Sequence, residues 1–182
     1  ADGFSIGGVI SPASSGMAVI SSNTTATSKN SGFDLAIQNQ DLMFQLVDAK
    51  GNRLIVKTKA KVPKGSHHML ASYDGSGVAA GVMLYIDGEP VGMTVLSDKL
   101  AGTTRSDTPV LIGNRPDGTG TFVGSMGTFS FFTQALSPEE VKWVVSKEAP
   151  GSGTATGGGT TTGGGTTGGG VTSTVGGPTT PK

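Results

Sequence analysis

From Phe4 to Phe132 the apolar residues fall in short runs, each closed within a few residues by Gly, Pro, Asp or Asn. This spacing is what most restricts the fold. Phe4-Ser5-Ile6 and Val9-Ile10 flank a glycine pair and stop at Pro12, and Met17-Ala18-Val19-Ile20 follows. Phe33-Asp34-Leu35-Ala36-Ile37-Gln38 alternates in the period of a half-buried strand. Leu42–Val47 comes after a short polar turn, Asp48–Asn52 turns into Leu54-Ile55-Val56, and Met69–Tyr73 is closed by Asp74-Gly75-Ser76-Gly77. Val82–Ile86 runs into Asp87-Gly88, a hairpin signal because a type I′ turn needs positive φ at both central positions. Glu89–Val95 is then the return strand, and Val110–Ile112 and Met126–Phe132 complete the set. Strands about 8 to 12 residues apart with such turns predict an all-β antiparallel sandwich or barrel, without the alternating helices of a parallel sheet.

One helix is expected. Ser137-Pro138-Glu139-Glu140 places Ser at the N-cap, Pro at the first helical position and Glu at the third, a capping box. Val141, Val144 and Val145 give one apolar face, Trp143 lies off it against a sandwich edge or a partner, and Pro150 ends the helix. Beyond Pro150 the composition changes: 13 of the 32 residues from Gly151 to Lys182 are Gly, 11 are Thr, and the only charge is Lys182. The chain therefore divides into a core-forming body, 1–150, and a low-complexity tail, 151–182, that has nothing to bury.

Several function classes drop out. Thirteen basic residues balance thirteen acidic ones, which leaves no electrostatic footprint for nucleic acid. No apolar run approaches the ~20 residues of a membrane span. With no cysteine there is no disulfide framework, Cys-ligated metal or thiol nucleophile. His67-His68 resembles a metal pair, but neighbouring strand side chains point to opposite faces, so one is expected inside and one at the surface. Glu139 and Glu140 are explained by the helix first turn. No catalytic residue and no cofactor site is assigned.

Longer stretches resemble a known family. Phe4-Ser5-Ile6-Gly7-Gly8-Val9-Ile10-Ser11-Pro12 is similar to the opening strand of laminin-G-like jelly rolls of the concanavalin A-like superfamily. Gly65–Gly75, with His67-His68 and Tyr73-Asp74-Gly75, resembles their His-His strand, and Val82–Pro90 the hairpin after it. Leu111-Ile112-Gly113, Phe122–Met126 and Ala135–Glu140 resemble the closing part. The likeness runs over residues 3–146 and implies an antiparallel two-sheet jelly roll. Two customary tryptophans are replaced, by Val9 and Ser66, and only Ala1-Asp2-Gly3 precede the opening strand, so the sandwich is expected to lack its first strand. Relatives hold calcium in oxygen-rich loops. Here Asp107, Asn114 and Asp117 are the candidates, too few for six to eight ligands, and Asn114–Gly118 reads better as a turn. The carboxylate pattern of glucanase relatives is absent; Asp87 and Glu89 sit at a hairpin. For glycan stacking the candidates are Tyr73, Tyr85, Phe122 and Trp143, with the tyrosines expected in the core.

The tail carries the functional expectation. Val171-Thr172-Ser173-Thr174-Val175 reads as a short strand suited to tail-mediated assembly, and Thr160, Thr161, Thr162, Thr166 and Thr167 as O-glycosylation sites. Fully extended, the tail reaches roughly 100 Å. The opening Ala1-Asp2 reads as a mature N-terminus after signal-peptide removal. The leading expectation is a non-catalytic structural subunit of an extracellular or cell-surface homopolymer whose partners are copies of itself. The alternative is an extracellular carbohydrate- or protein-binding module, with glycans or cell-surface proteins as partners, followed by a linker.

Overall fold

The alternation seen in the sequence becomes strand pairing in the computed structural model, which describes residues 3–13, 16–24 and 31–148. The strands are β1 (Phe4–Pro12), β2 (Ala18–Ser22), β3 (Gly32–Gln38), β4 (Asp41–Val47), β5 (Arg53–Thr58), β6 (His67–Tyr73), β7 (Val82–Ile86), β8 (Glu89–Pro90), β9 (Met93–Asp98), β10 (Leu111–Ile112) and β11 (Gly124–Phe132), followed by helix α1 (Pro138–Glu148). They form a five-stranded sheet in the order β11-β1-β6-β7-β8 and a six-stranded sheet in the order β10-β2-β3-β4-β5-β9, with every pairing antiparallel. Val171–Val175, the five threonines named above and the whole of 151–182 lie outside the described residues.

The core is the pair of inner faces. Ile6 and Ile10 of β1, Met69, Ala71 and Tyr73 of β6, and Val82 and Leu84 of β7 meet Phe33, Leu35 and Ile37 of β3, Leu42, Phe44 and Leu46 of β4, and Leu54 and Val56 of β5. All are buried, each contributing about 1.5–3 kcal/mol if a full aliphatic or aromatic side chain. The Gly7-Gly8 pair has a steric reason. A Cβ on Gly7 would lie 2.1 Å from the Met69 carbonyl oxygen, and one on Gly8 would lie 2.2 Å from that of Thr128. Only bare backbone lets β6 and β11 close on β1.

The turns follow their residues. Asp87 (φ 52°) and Gly88 (φ 84°) both take positive φ, as the hairpin requires, and Asn39 (φ 53°) and Gln40 (φ 64°) repeat this between β3 and β4. The return strand expected over Glu89–Val95 is corrected to two strands in different sheets. β8 ends at Pro90 after pairing with β7, and β9 begins at Met93 and pairs with β5. Pro90 has no N–H to extend the ladder. The chain crosses between the sheets with Val91 donating to the Leu84 carbonyl and Gly92 accepting from the Lys59 N–H.

Helix α1 lies on the outer face of the five-stranded sheet. Glu140 N–H donates to Ser137 Oγ (3.3 Å) and Ser137 N–H to Glu140 Oε2 (2.8 Å), which is the capping box. Val141, Val144 and Leu136 cover Leu70 and Tyr85, with Val145 and Phe132 at the margin. Two buried hydroxyls fasten the connection: Ser5 Oγ accepts from Leu136 N–H and donates towards Ser72 Oγ and the Gln134 carbonyl, while Ser72 Oγ donates to the Leu136 carbonyl. Trp143 is 60% exposed, with Lys147 Nζ 5.9 Å from its ring centroid. No helix among the described residues is long and apolar enough to cross a membrane.

Candidate functional site

A sandwich has two outer faces, and α1 occupies that of the five-stranded sheet. On the other, strand alternation turns Asp34, Ala36 and Gln38 of β3 and Met43 and Gln45 of β4 outwards, because Phe33, Leu35, Ile37, Leu42, Phe44 and Leu46 fill the core. The register sets Asp34 opposite Gln45 and Ala36 opposite Met43. Arg53, at the start of β5, donates from Nη1 to Gln45 Oε1 (3.2 Å). These residues, with Met17 and Arg115 as walls, bound a shallow hollow of about 210 Å³.

Arg115 reaches this face from the loop after β10. Its Nε donates to Asp34 Oδ1 (3.2 Å) and its Nη2 to Asp34 Oδ2 (2.6 Å), with Met17 Sδ 3.7 Å from Nη2. Both side chains of the pair are more than nine-tenths buried. The loop is pinned by its own turn: Gly118 N–H donates to the Arg115 carbonyl, Arg115 N–H to the Thr119 carbonyl, and Thr119 N–H and Oγ1–H to Asp117 Oδ1. The turn expected over Asn114–Gly118 is therefore present. Gly120 takes φ 70° and lies so close that a Cβ would meet Val19 Cγ2 at 2.5 Å and Arg115 Nη1 at 3.0 Å, so glycine there lets the loop lie down on the sheet. Further along the face, Asp41 is held between Lys57 and Lys61, both at 2.8 Å. Burial pushes its carboxyl up, but the two ammonium groups outweigh that and leave it below its ordinary value.

The hollow offers two primary amides, a guanidinium, a carboxylate engaged by a second guanidinium, and two thioethers. It is smaller than the ~300 Å³ at which enclosed drug-sized pockets begin, and suits one sugar ring or a group of that size. A larger hollow, about 350 Å³, lies by Tyr73, Gly75–Val78 and Leu100–Gly102. Its lining is mostly backbone, and its one phenol already accepts the Gly77 N–H at 2.6 Å.

The residues singled out in the sequence are dispersed. His67 Nδ1 lies 2.7 Å from Asp87 Oδ2, which raises the imidazole pKa against an opposing effect of burial. His68 is buried on the opposite side of β6, beneath the helix end, with Nε2 3.0 Å from Glu148 Oε2. The two therefore face apart, although the buried one sits under α1 and not between the sheets. No group of three His, Cys, Asp or Glu that could hold a metal ion occurs among the described residues. Of the stacking candidates, Tyr73 and Tyr85 are buried, Phe122 packs against the core, and only Trp143 is open to solvent. None of them borders the sheet-face hollow. Sequence reasoning missed Arg115, Asp34, Arg53, Gln38 and Gln45. The available signal was a carboxylate on the outward row of the apolar strand β3.

Comparison with known proteins supports this architecture. A family model described as the concanavalin A-like lectin/glucanases superfamily (laminin-G type) matches residues 8–142. Among solved structures, the CBM40 of the Ruminococcus gnavus IT-sialidase bound to α2,3-sialyllactose is similar with a TM-score of 0.59 and 19% identity, over 79% of this chain and 83% of that one. A heptameric SAP-like pentraxin from Limulus polyphemus gives 0.58 and 16%, over 79% and 70%. The ligand-binding domain of botulinum neurotoxin serotype D in complex with N-acetylneuraminic acid gives 0.57 and 19%, over 81% of this chain and 37% of that one. No curated protein matches in sequence. At these identities the structures speak for the fold alone, while the family match spans well over half of the chain. The chain belongs to the laminin-G-like family of the concanavalin A-like lectin/glucanase superfamily.

Proposed function

We propose that this domain is a non-catalytic glycan-binding module, working outside the cell or at its surface, that takes a sugar on the outer face of the six-stranded sheet. The observation that carries the reading is the hollow itself, where Gln38, Gln45 and Arg53 stand on rigid strands beside the Asp34–Arg115 pair. Amides and guanidinium groups match vicinal hydroxyls and carboxylates. An acidic terminal sugar is the first candidate, because Arg53 supplies positive charge there and two of the similar structures hold sialyllactose and N-acetylneuraminic acid. Against catalysis, Asp34 and Asp41 are each locked into ion pairs, whereas glycoside hydrolysis needs two carboxylates facing a common bond. The homopolymer expected first from the sequence has less support than this alternative, since two of the similar structures hold glycans.

The test is NMR titration of the full chain with sialyllactose and a panel of neutral oligosaccharides. Shifts should cluster at Gln38, Gln45 and Arg53, and Arg53→Ala should weaken binding at least tenfold. Shifts confined elsewhere, or affinity unchanged in both Arg53→Ala and Gln45→Ala, would remove the sheet face as the site.

A further inference from the structure

Among the described residues one side of the sandwich has no further strand, and helix α1 ends one strand in from it. Strand β11 is an edge of the five-stranded sheet and β10 an edge of the six-stranded one. Both edges lie on the same side, because a Cβ on Gly113, directly after β10, would fall 3.9 Å from Met126 Cε of β11. β11 is a nine-residue strand, Gly-Ser-Met-Gly-Thr-Phe-Ser-Phe-Phe, without a charge or a proline. It thus lacks the devices that usually blunt an edge. Its Phe131 stands opposite Ile6 in the register, stacks on Phe4 (5.8 Å between centroids) and faces Phe33 of the other sheet (6.5 Å). This inward-facing ring is nevertheless 50% exposed, and Leu111 and Ile112 across the opening are 38% and 49% exposed.

We propose that the segment Val171–Val175 of the same chain adds to β11 as a strand and closes this side. Three observations select that occupant. First, Glu148, the last residue of α1, is held between Ser130 Oγ of β11 and His68 Nε2 of β6, so the helix ends over β1, one strand in from the edge the segment would pair with. Second, residues 149–170 are Gly, Thr, Ser, Ala and Pro without charge. From composition alone, a Gly/Thr-rich stretch of that length has an average span of roughly 25–30 Å, comparable with the ~30 Å length of β11, which would give the segment a high effective concentration at the edge. Third, Val171 and Val175 are the only aliphatic β-branched residues after Val145, and they alternate with Thr172 and Thr174. In a strand the two valines share one face, roughly 13 Å apart, with the threonines opposite. The valines turn towards Phe131 and the threonines to water.

The experiment is residue-resolved amide hydrogen exchange on the full chain, with light scattering on the same sample. Paired amides in 171–175 should exchange about a hundredfold slower than an open chain or more, as a docked strand requires. Val171→Asp with Val175→Asp should abolish that protection and speed exchange along β11, while the protein stays monomeric. Random-coil exchange at 171–175 in the unaltered chain overturns the proposal without any variant having to fold. Protection that rises with protein concentration alongside a larger mass overturns it too, by giving the strand to a second copy. Glycan binding on the opposite sheet face is scored separately and stands or falls by itself.

Discussion

Replacing Arg115 by Leu strands the Asp34 carboxylate. Arg115 gives Asp34 two hydrogen bonds, and the two side chains are only 9% and 7% exposed. Removing one partner of a buried ion pair costs about 3–5 kcal/mol, because the remaining charge has lost its counterion without regaining water. The lower end applies here, since the loop 113–120 lies at the surface and its withdrawal lets water reach Asp34. A loss of ~3 kcal/mol lowers the melting temperature by roughly 10 °C in a domain of this size. The double variant Asp34→Leu/Arg115→Leu removes both charges and should recover most of the loss, the usual behaviour when a buried pair is replaced by apolar groups. Urea unfolding of the unaltered protein, Arg115→Leu, Asp34→Leu and the double variant, with constant m, gives the cycle. A cost under ~1 kcal/mol for Arg115→Leu would place the pair with surface bridges. A double variant as unstable as the single one would show that lost packing of the loop, and not the stranded carboxylate, is responsible.

Three further outcomes are expected. Asp48 accepts from Asn52 Nδ2, from the N–H groups of Ala101, Asn52 and Lys50, and is held at about 2 against an ordinary 3.8. Its contribution is therefore complete above pH 3.8 and drains as pH falls through about 2. The His67–Asp87 contact has the opposite sign: its raised imidazole value supplies stability below pH 6.5 that is lost as pH rises. Melting temperature against pH should thus form a plateau between these limits, and Asp48→Asn should flatten its acid side. Ser137→Ala should cost about 1 kcal/mol in denaturant unfolding, the usual value of an N-cap, with loss of helical circular dichroism restricted to α1. Gly7→Ala should cost about 3 kcal/mol or more by forcing backbone apart, because its Cβ would sit 2.1 Å from the Met69 carbonyl oxygen; a neutral effect on the urea midpoint would refute the close approach.

The strands were legible because their reason is local. Phe33–Gln38 alternates because one face is core, and Asp87-Gly88 turns because both residues accept positive φ. The capping box of Ser137 and Glu140 is likewise contained in four residues. The crossing at Val91-Gly92 was not legible, because Glu89–Val95 keeps a strand-like composition while its two halves bond to different sheets. Composition reports a preference for extended backbone and says nothing of which neighbour is paired. The site was illegible for a stronger reason. Arg115 meets Asp34 across 81 positions, and Arg53 joins Gln38 and Gln45 only once three strands are in register. A lone Asp in an apolar strand and a lone Arg in a turn show no relation in sequence.

What the fold decides is which surface is left to use. Helix α1 buries Leu70 and Tyr85 and so covers that part of the outer face of the five-stranded sheet. This cover is fixed at both ends, by Ser5 and Ser72 holding Gln134 and Leu136, and by His68 and Ser130 holding Glu148. Burial works against the charge of Glu148, yet its hydrogen bonds with His68 and Ser130 keep the carboxyl below its ordinary value. The end of the helix therefore stays docked under near-neutral conditions. Among the described residues the opposite sheet carries no such cover, and its outward face presents Asp34, Gln38, Gln45 and Arg53 at the hollow. A polar face on one side and a helix-covered one on the other support the proposed glycan-binding reading. Glu148 docks on the five-stranded sheet and Arg53 lines the hollow on the other sheet, so the proposed strand closure and the proposed ligand binding use different parts of the sandwich.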